Sequence, residues 1–122
     1  MDWKFRSDLP IYSQLVEQIK LGIVSGNLLP GERLMSVRDM ATEAGVNPNT
    51  MQRAMSNLEA AGLAVTNRTS GRIVTSDEEL LKKIKKEYAL EAAKEFMQEM
   101  QELGLSQKDA KALLDEAEAM GK

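Results

Sequence analysis

The chain contains no cysteine and no histidine. Without cysteine there are no disulfides and no thiolate ligands, which fits a reducing cytoplasm. Without histidine the commonest general base and the commonest metal ligand are missing, which argues against an enzyme and against a metal centre. The carboxylates are scattered, and none sits in the apolar or glycine-rich setting that tunes a catalytic pair. A glycine-rich phosphate loop and a nucleophile–base pair are also absent, so no cofactor is expected. No run of about 18 apolar residues occurs, so nothing should span a membrane. The opening MDWKFRSD lacks the apolar stretch of a secretion signal, and the expected location is cytoplasmic.

The 122 residues suit one small domain plus an appendage. Charge divides unevenly between them. Residues 1–75 hold eight Lys or Arg against seven Asp or Glu, whereas 76–122 hold eight against twelve. The acidic overall balance argues weakly against nucleic acid. The basic groups of the first part, however, include Arg38, Arg53, Arg68 and Arg72, and the expected fold gathers these on one side. A local patch can bind phosphate while the average charge stays negative.

The stretch Ser36–Ala61 organises the chain. Ser36 is a natural N-cap, with Asp39 three residues on to complete a capping box and Met35 and Met40 as its hydrophobic staple. Val37, Met40, Ala41 and Ala44 make a narrow apolar stripe at helical spacing. Gly45 supplies a left-handed helix end, Asn47 caps the next helix, and Pro48 takes its first position. In that second helix Met51, Ala54, Met55, Leu58 and Ala61 share one buried face. The opposite face carries Asn49, Thr50, Gln52, Arg53, Ser56 and Asn57, many hydrogen-bonding groups with a single charge. Such a face suits reading base edges in the major groove, and the geometry is that of a helix-turn-helix. A helical hairpin with an ordinary solvated face fits the same spacing.

Trp3 and Phe5, two of only five aromatic residues, alternate with charged residues in an extended or loose arm. Pro10 opens a helix to about Ser25, with Ile11, Leu15, Ile19 and Ile23 as its buried stripe, Val16 beside them, and Tyr12 and Gln14 flanking. Gly26 ends it, and Leu34 points into the core beside a short edge strand. After Gly62-Leu63, the β-prone runs Ala64–Thr66 and Arg72–Thr75 bracket the polar tip Asn67–Gly71, giving a hairpin. Three helices and a hairpin make a winged helix. Its tip can lay Arg68, Ser70, Gly71 and Arg72 along a phosphate backbone, unless the hairpin serves only to close the core.

At Ser76 the appendage begins, with Glu79 at the reciprocal position of a capping box. Leu80, Leu81, Ile84, Tyr88, Ala92, Phe96, Met100 and Leu103 mark one long amphipathic helix. Gly104 stops it, and Ser106 with Asp109 caps a last helix carrying Ala110, Leu113, Leu114, Ala117 and Met120. Fewer than about 40 to 50 residues rarely make a sufficient core. These helices therefore need the winged domain or a second copy, and two-fold dimerisation through Leu81, Ile84, Tyr88, Phe96, Met100, Leu113 and Leu114 is the favoured arrangement.

From Leu9 to Leu63 and on through the wing to Val74, the chain resembles the N-terminal domain of the GntR family of bacterial transcription regulators. The matching positions are Pro10-Ile11-Tyr12, Gly26, Pro30-Gly31, Ser36-x-Arg38, Gly45-Val46 and Gly62-Leu63. The Asn47-Pro48-Asn49-Thr50 start and the short tail are similar to the YtrA-like subgroup. The resemblance implies a homodimer on double-stranded, palindromic operator DNA, with Arg38, the first turns of the 48–61 helix and the wing in contact. Met35, Pro48, Gln52, Thr69 and Ile73 depart from the family's usual residues, so base preference does not carry over.

The expected fold is thus α+β, mainly helical: a winged helix-turn-helix domain over 1–75 and a two-helix dimerisation tail over 76–122. The expected function is a dimeric, sequence-specific DNA-binding regulator, most simply a repressor, with transporter genes implied as targets by the resemblance. Ser36, Arg38, Asn47, Asn49, Thr50, Gln52, Arg53, Asn57, Arg68, Ser70, Gly71 and Arg72 are its expected DNA-binding residues. A winged-helix adaptor for proteins is the alternative. A small-molecule effector would lodge near Tyr88 and Phe96, unless those aromatics are simply interface core.

Overall fold

The computed structural model describes residues 1–121. Its elements in order are α1 (Ile11–Ser25), α2 (Val37–Ala44), α3 (Pro48–Ala60), β1 (Ala64–Asn67), β2 (Gly71–Val74), α4 (Glu78–Glu102) and α5 (Gln107–Met120). The fold is mainly helical α+β. Two compact units divide it, Met1–Lys85 and Lys86–Lys122. The division falls inside α4, beyond the change in charge composition near residue 75.

In the first unit, Leu15, Ile19 and Ile23 of α1 meet Met51, Met55 and Leu58 of α3, all at most 1% exposed. Met40 and Ala41 of α2, Leu34, Leu63 and Val74 close the same core. Ile11, by contrast, lies on the surface because it stands on the open first turn of α1. Ala61 is also exposed: it is the residue on which α3 ends, not part of its buried face. Leu80, Leu81 and Ile84 at the start of α4 pack partly buried against this core.

β1 and β2 pair antiparallel, with Thr66 opposite Arg72. The chain at 31–34 lies along the other side of β2. Gly31 N–H donates to Val74 O, Val74 N–H to Glu32 O and Leu34 N–H to Arg72 O, each at 2.9 Å. This is the edge segment expected beside Leu34. Gly62 follows α3 at φ +81°, and a Cβ there would meet Leu80 at 3.3 Å.

The arm before α1 is docked rather than loose. Two glutamines one helical turn apart grip alternate residues of the arm. Gln18 accepts from Lys4 N–H at 3.1 Å and donates to Lys4 O at 2.7 Å. Gln14 does the same for Arg6 at 2.7 and 2.9 Å. Trp3 and Phe5 stack with centroids 5.9 Å apart, and Trp3 Nε1 donates to Glu43 at 2.8 Å.

Two caps differ from expectation. At α2 only half of the box forms: Ser36 Oγ accepts from Asp39 N–H at 3.1 Å. At α4, Asp77 replaces Ser76, because buried Thr75 accepts from Asp77 N–H and keeps the chain extended one residue longer. Asp77 Oδ1 then accepts from Leu80 N–H at 3.1 Å.

In the second unit the Ser106–Asp109 box is complete. Its hydrophobic residues find little cover. No residue of α4 is buried along its whole length, and Ala110 is the buried residue of α5. Leu90, Leu103, Leu114 and Met120 are 52, 71, 52 and 82% exposed.

Met55→Ala should lower unfolding free energy by about 2–5 kcal/mol. Gln52→Ala, on the outer face of the same helix, should stay within about 0.5 kcal/mol. Urea unfolding of the two variants checks this.

Candidate nucleic-acid interface

The interface is set by how α3 is held. Met51, Ala54, Met55 and Leu58 face the core, so Asn49, Gln52, Arg53, Ser56 and Asn57 are turned outward and exposed, with Thr50 half-buried. Gly45, at φ +70° with nothing within 4 Å of its missing side chain, makes the turn from α2. Its N–H donates to carbonyls at the end of α2, and any L side chain there would strain the backbone. Asn47 Oδ1 accepts from Asn49 N–H at 2.8 Å, so part of Asn47 serves as a cap. At the start of α2, the N–H groups ahead of the one that Ser36 caps carry partial positive charge, which attracts phosphate, whereas at α3 Pro48 has no N–H and that of Asn49 is capped. Arg38, exposed on the first turn of α2, adds a full charge.

Tyr12 of α1 is a member of this face that sequence reasoning placed only as a flank of its stripe. The guanidinium carbon of Arg53 lies 4.6 Å from its ring centroid, a cation–π contact. Its hydroxyl accepts from Asn57 Nδ2 at 3.1 Å. Arg53 and Asn57 are four residues apart, so one tyrosine holds both. Asn57 is thereby turned toward α1 instead of standing free. The signal was present in the i, i+4 spacing, but a pairing with Tyr12 across 45 positions has no mark in the sequence. Gln52 Nε2 donates to Ser56 Oγ at 3.3 Å, and the Asn49 side chain has no hydrogen-bond partner among the described residues.

The wing is tied to α3 through Glu59. Its carboxylate accepts from Arg72 Nε in an ion pair and from Thr66 Oγ1 at 3.0 Å. Thr66 and Arg72 are cross-strand partners, so one side chain at the end of α3 clasps both strands. Arg72, expected as a free wing cation, is therefore engaged with Glu59 because that carboxylate stands directly over its strand. At the tip, Asn67 Oδ1 accepts from Thr69 N–H and Oγ1 at 2.9 and 2.8 Å. This closes the turn around Arg68, with Ser70 half-buried and Gly71 exposed. Among the described residues, the guanidinium groups of Arg38 and Arg68 carry no ion-pair or hydrogen-bond partner. A cleft of about 410 Å³ lies between the wing and the start of α2, lined by Ser36, Thr66, Ser70, Gly71 and Arg72 among others.

The residues expected at a dimer interface fall into two groups. Leu81 and Ile84 lie in the first unit against its core. Tyr88, Phe96 and Met100 are half-buried in the second, where Leu113 and Leu114 are 38 and 52% exposed. Among the described residues no cluster of three potential metal ligands occurs, and no helix is long and apolar enough to cross a membrane.

The Arg72 guanidinium beside Glu59 holds its carboxyl below the usual glutamate range, aided by Thr66 and opposed by partial burial. A depressed folded value means stability that is complete above the ordinary value of about 4.3 and is lost as pH falls through the lower folded one. Glu59→Gln should cost about 0.5–1.5 kcal/mol at pH 7. The gap to the parent should narrow below about pH 4, as denaturant unfolding at several pH values would show.

Residues 11–74 match the family described as bacterial regulatory proteins, gntR family. An uncharacterized HTH-type transcriptional regulator, YhcF of Bacillus subtilis (strain 168), is 39% identical over 109 residues, which span 89% of this chain and 90% of that protein. The HTH-type transcriptional repressor YtrA of the same organism is 39% identical over 72 residues, 59% of this chain and 55% of the repressor. A solved GntR family transcriptional regulator from Listeria monocytogenes superposes with a TM-score of 0.82 at 34% identity, covering 92% of this chain and 98% of that one. With a winged helix in which α3 turns its polar face outward, the chain belongs to the GntR family of bacterial regulatory proteins.

Proposed function

We propose that this DNA-binding transcription regulator acts as a homodimer on palindromic operator DNA, as a repressor that occludes a promoter. The observation that carries the reading is the outward face of α3, with exposed Asn49, Gln52 and Arg53, flanked by Arg38 and Arg68, whose guanidinium groups have no partner among the described residues. Asn49 and Gln52 suit adenine edges, and Arg53 suits guanine or phosphate. Arg38 and the N–H groups of Ser36 and its neighbours anchor one strand's phosphates, while Arg68, Ser70 and Gly71 follow the backbone alongside. Arg72 stiffens the wing through Glu59 rather than reaching out. An adaptor for proteins would instead present an apolar patch here, and this face is polar.

Dimerisation is supported by the second unit, which exposes leucines and methionine along helices with almost no buried residue. A symmetric pair also brings two copies of α3 to half-sites about one DNA turn apart. Repression is supported by the similarity to YtrA, a transcriptional repressor; transporter genes near the chain's own gene are the first operators to test.

Binding should weaken steeply with salt. Arg38→Ala should reduce the log–log salt slope by about 0.9 per half-site and lower affinity for all sequences alike. Gln52→Ala should instead flatten discrimination at one base pair by about 1–3 kcal/mol. Fluorescence anisotropy with selected and scrambled duplexes at two salt concentrations reads both. Unchanged affinity and slope in Arg38→Ala would remove its anchoring role.

A further inference from the structure

The first unit carries an open groove of about 400 Å³ where the end of α1 meets the start of α4. Ile23, Val24 and Leu81 form its apolar floor, and Glu78, Lys82 and Lys85 stand along its rim. Two of these three charged groups are basic, Lys82 and Lys85, one and two helical turns beyond Glu78. Nothing in the interface to DNA uses these lysines.

α5 has the complementary character. Ala110, Leu113, Leu114, Ala117 and Met120 fall on one side of a helix turning 100° per residue. Leu114 and Met120 are 52 and 82% exposed. Glu116 and Glu118 border that stripe on either side, and the last turns, Asp115–Met120, contain three acidic residues and no basic one. A 14-residue helix with a single buried side chain is marginal in water and needs packing to persist.

Resting on the dimeric reading above, we infer that α5 of one copy docks in the α1–α4 groove of a second copy. Leu113 and Leu114 sit over Ile23, Val24 and Leu81, and the acidic border meets Lys82 and Lys85. Both surfaces belong to the same chain, so a two-fold operation makes the contact twice, as an isologous interface requires. The opposite signs of rim and border select the partner and the register, and they disfavour pairing α5 with α5 or groove with groove.

The test uses the full chain with two charge reversals, Lys82→Glu/Lys85→Glu and Glu116→Lys/Glu118→Lys. Sedimentation equilibrium gives the dissociation constant of each. Each variant alone should dissociate roughly tenfold or more readily than the parent, since like charges then meet at both contacts. An equimolar mixture should recover parental affinity as a heterodimer, because both of its contacts again pair opposite signs. Circular dichroism confirms that the variants stay folded. Parental self-association in both variants overturns the inference and leaves the dimer intact. Weakening without recovery in the mixture, but with recovery when both reversals share one chain, places α5 on its own groove and also overturns it. A lysine variant that dimerises normally yet loses DNA affinity assigns the lysines to phosphate and overturns it as well. A parent that stays single-copy at high concentration refutes the dimeric reading itself.

Discussion

The burial of Met51, Ala54, Met55 and Leu58 is the constraint on which the rest depends. A helix presents one face to solvent only as firmly as its other face is held, and rotating α3 by one residue would swing every side chain about 100°. Here α1 on one side and α2 on the other fix the angle, with Met51 and Leu58 wholly inaccessible. The direction of Asn49 and Gln52 is thus a consequence of packing far from any ligand. Side chains pre-aimed in this way need less ordering when they meet a partner.

Polar contacts then refine what packing sets. Tyr12 holds Arg53 and Asn57 toward α1, and Glu59 clasps Thr66 and Arg72. One device orders Arg53 and Asn57 on the outward face, and the other ties the wing to the end of α3. Each uses a partly exposed group, so each contributes modestly to stability. Their effect is geometric. Among the described residues, the guanidinium groups of Arg38 and Arg68 have no partner, one ahead of α3 and one at the wing tip.

Much of this was legible in residue spacing. Caps and breakers such as Gly26, Gly45, Asn47-Pro48 and Gly104 punctuate the chain strongly, and the methionine periodicity of α3 left one choice of buried face. The hairpin, too, followed from two β-prone runs around a polar tip. What escaped were contacts between distant positions: Tyr12 with Arg53, Glu59 with Arg72, and the two glutamines that bind the arm. These depend on how helices cross, which no local pattern encodes. Small cap errors at Ser76 and Ala61 had a different origin. There Thr75 and Gly62 shifted an element end by one residue, within the usual uncertainty of helix ends. The tail's helices were legible as elements, but their apolar stripes name no partner, since a stripe reads alike in cis or between copies.

On this reading the outward amides of α3 meet DNA. Side-chain amide signals of Asn49 and Gln52, followed by nuclear magnetic resonance while a genomically selected duplex is added, test it most directly. These two signals and the backbone amides of the first turns of α2 and α3 should shift, with those of Met55 and Leu58 nearly unmoved. Shifts confined to α4 and α5, with Asn49 and Gln52 unchanged at saturation, would contradict it.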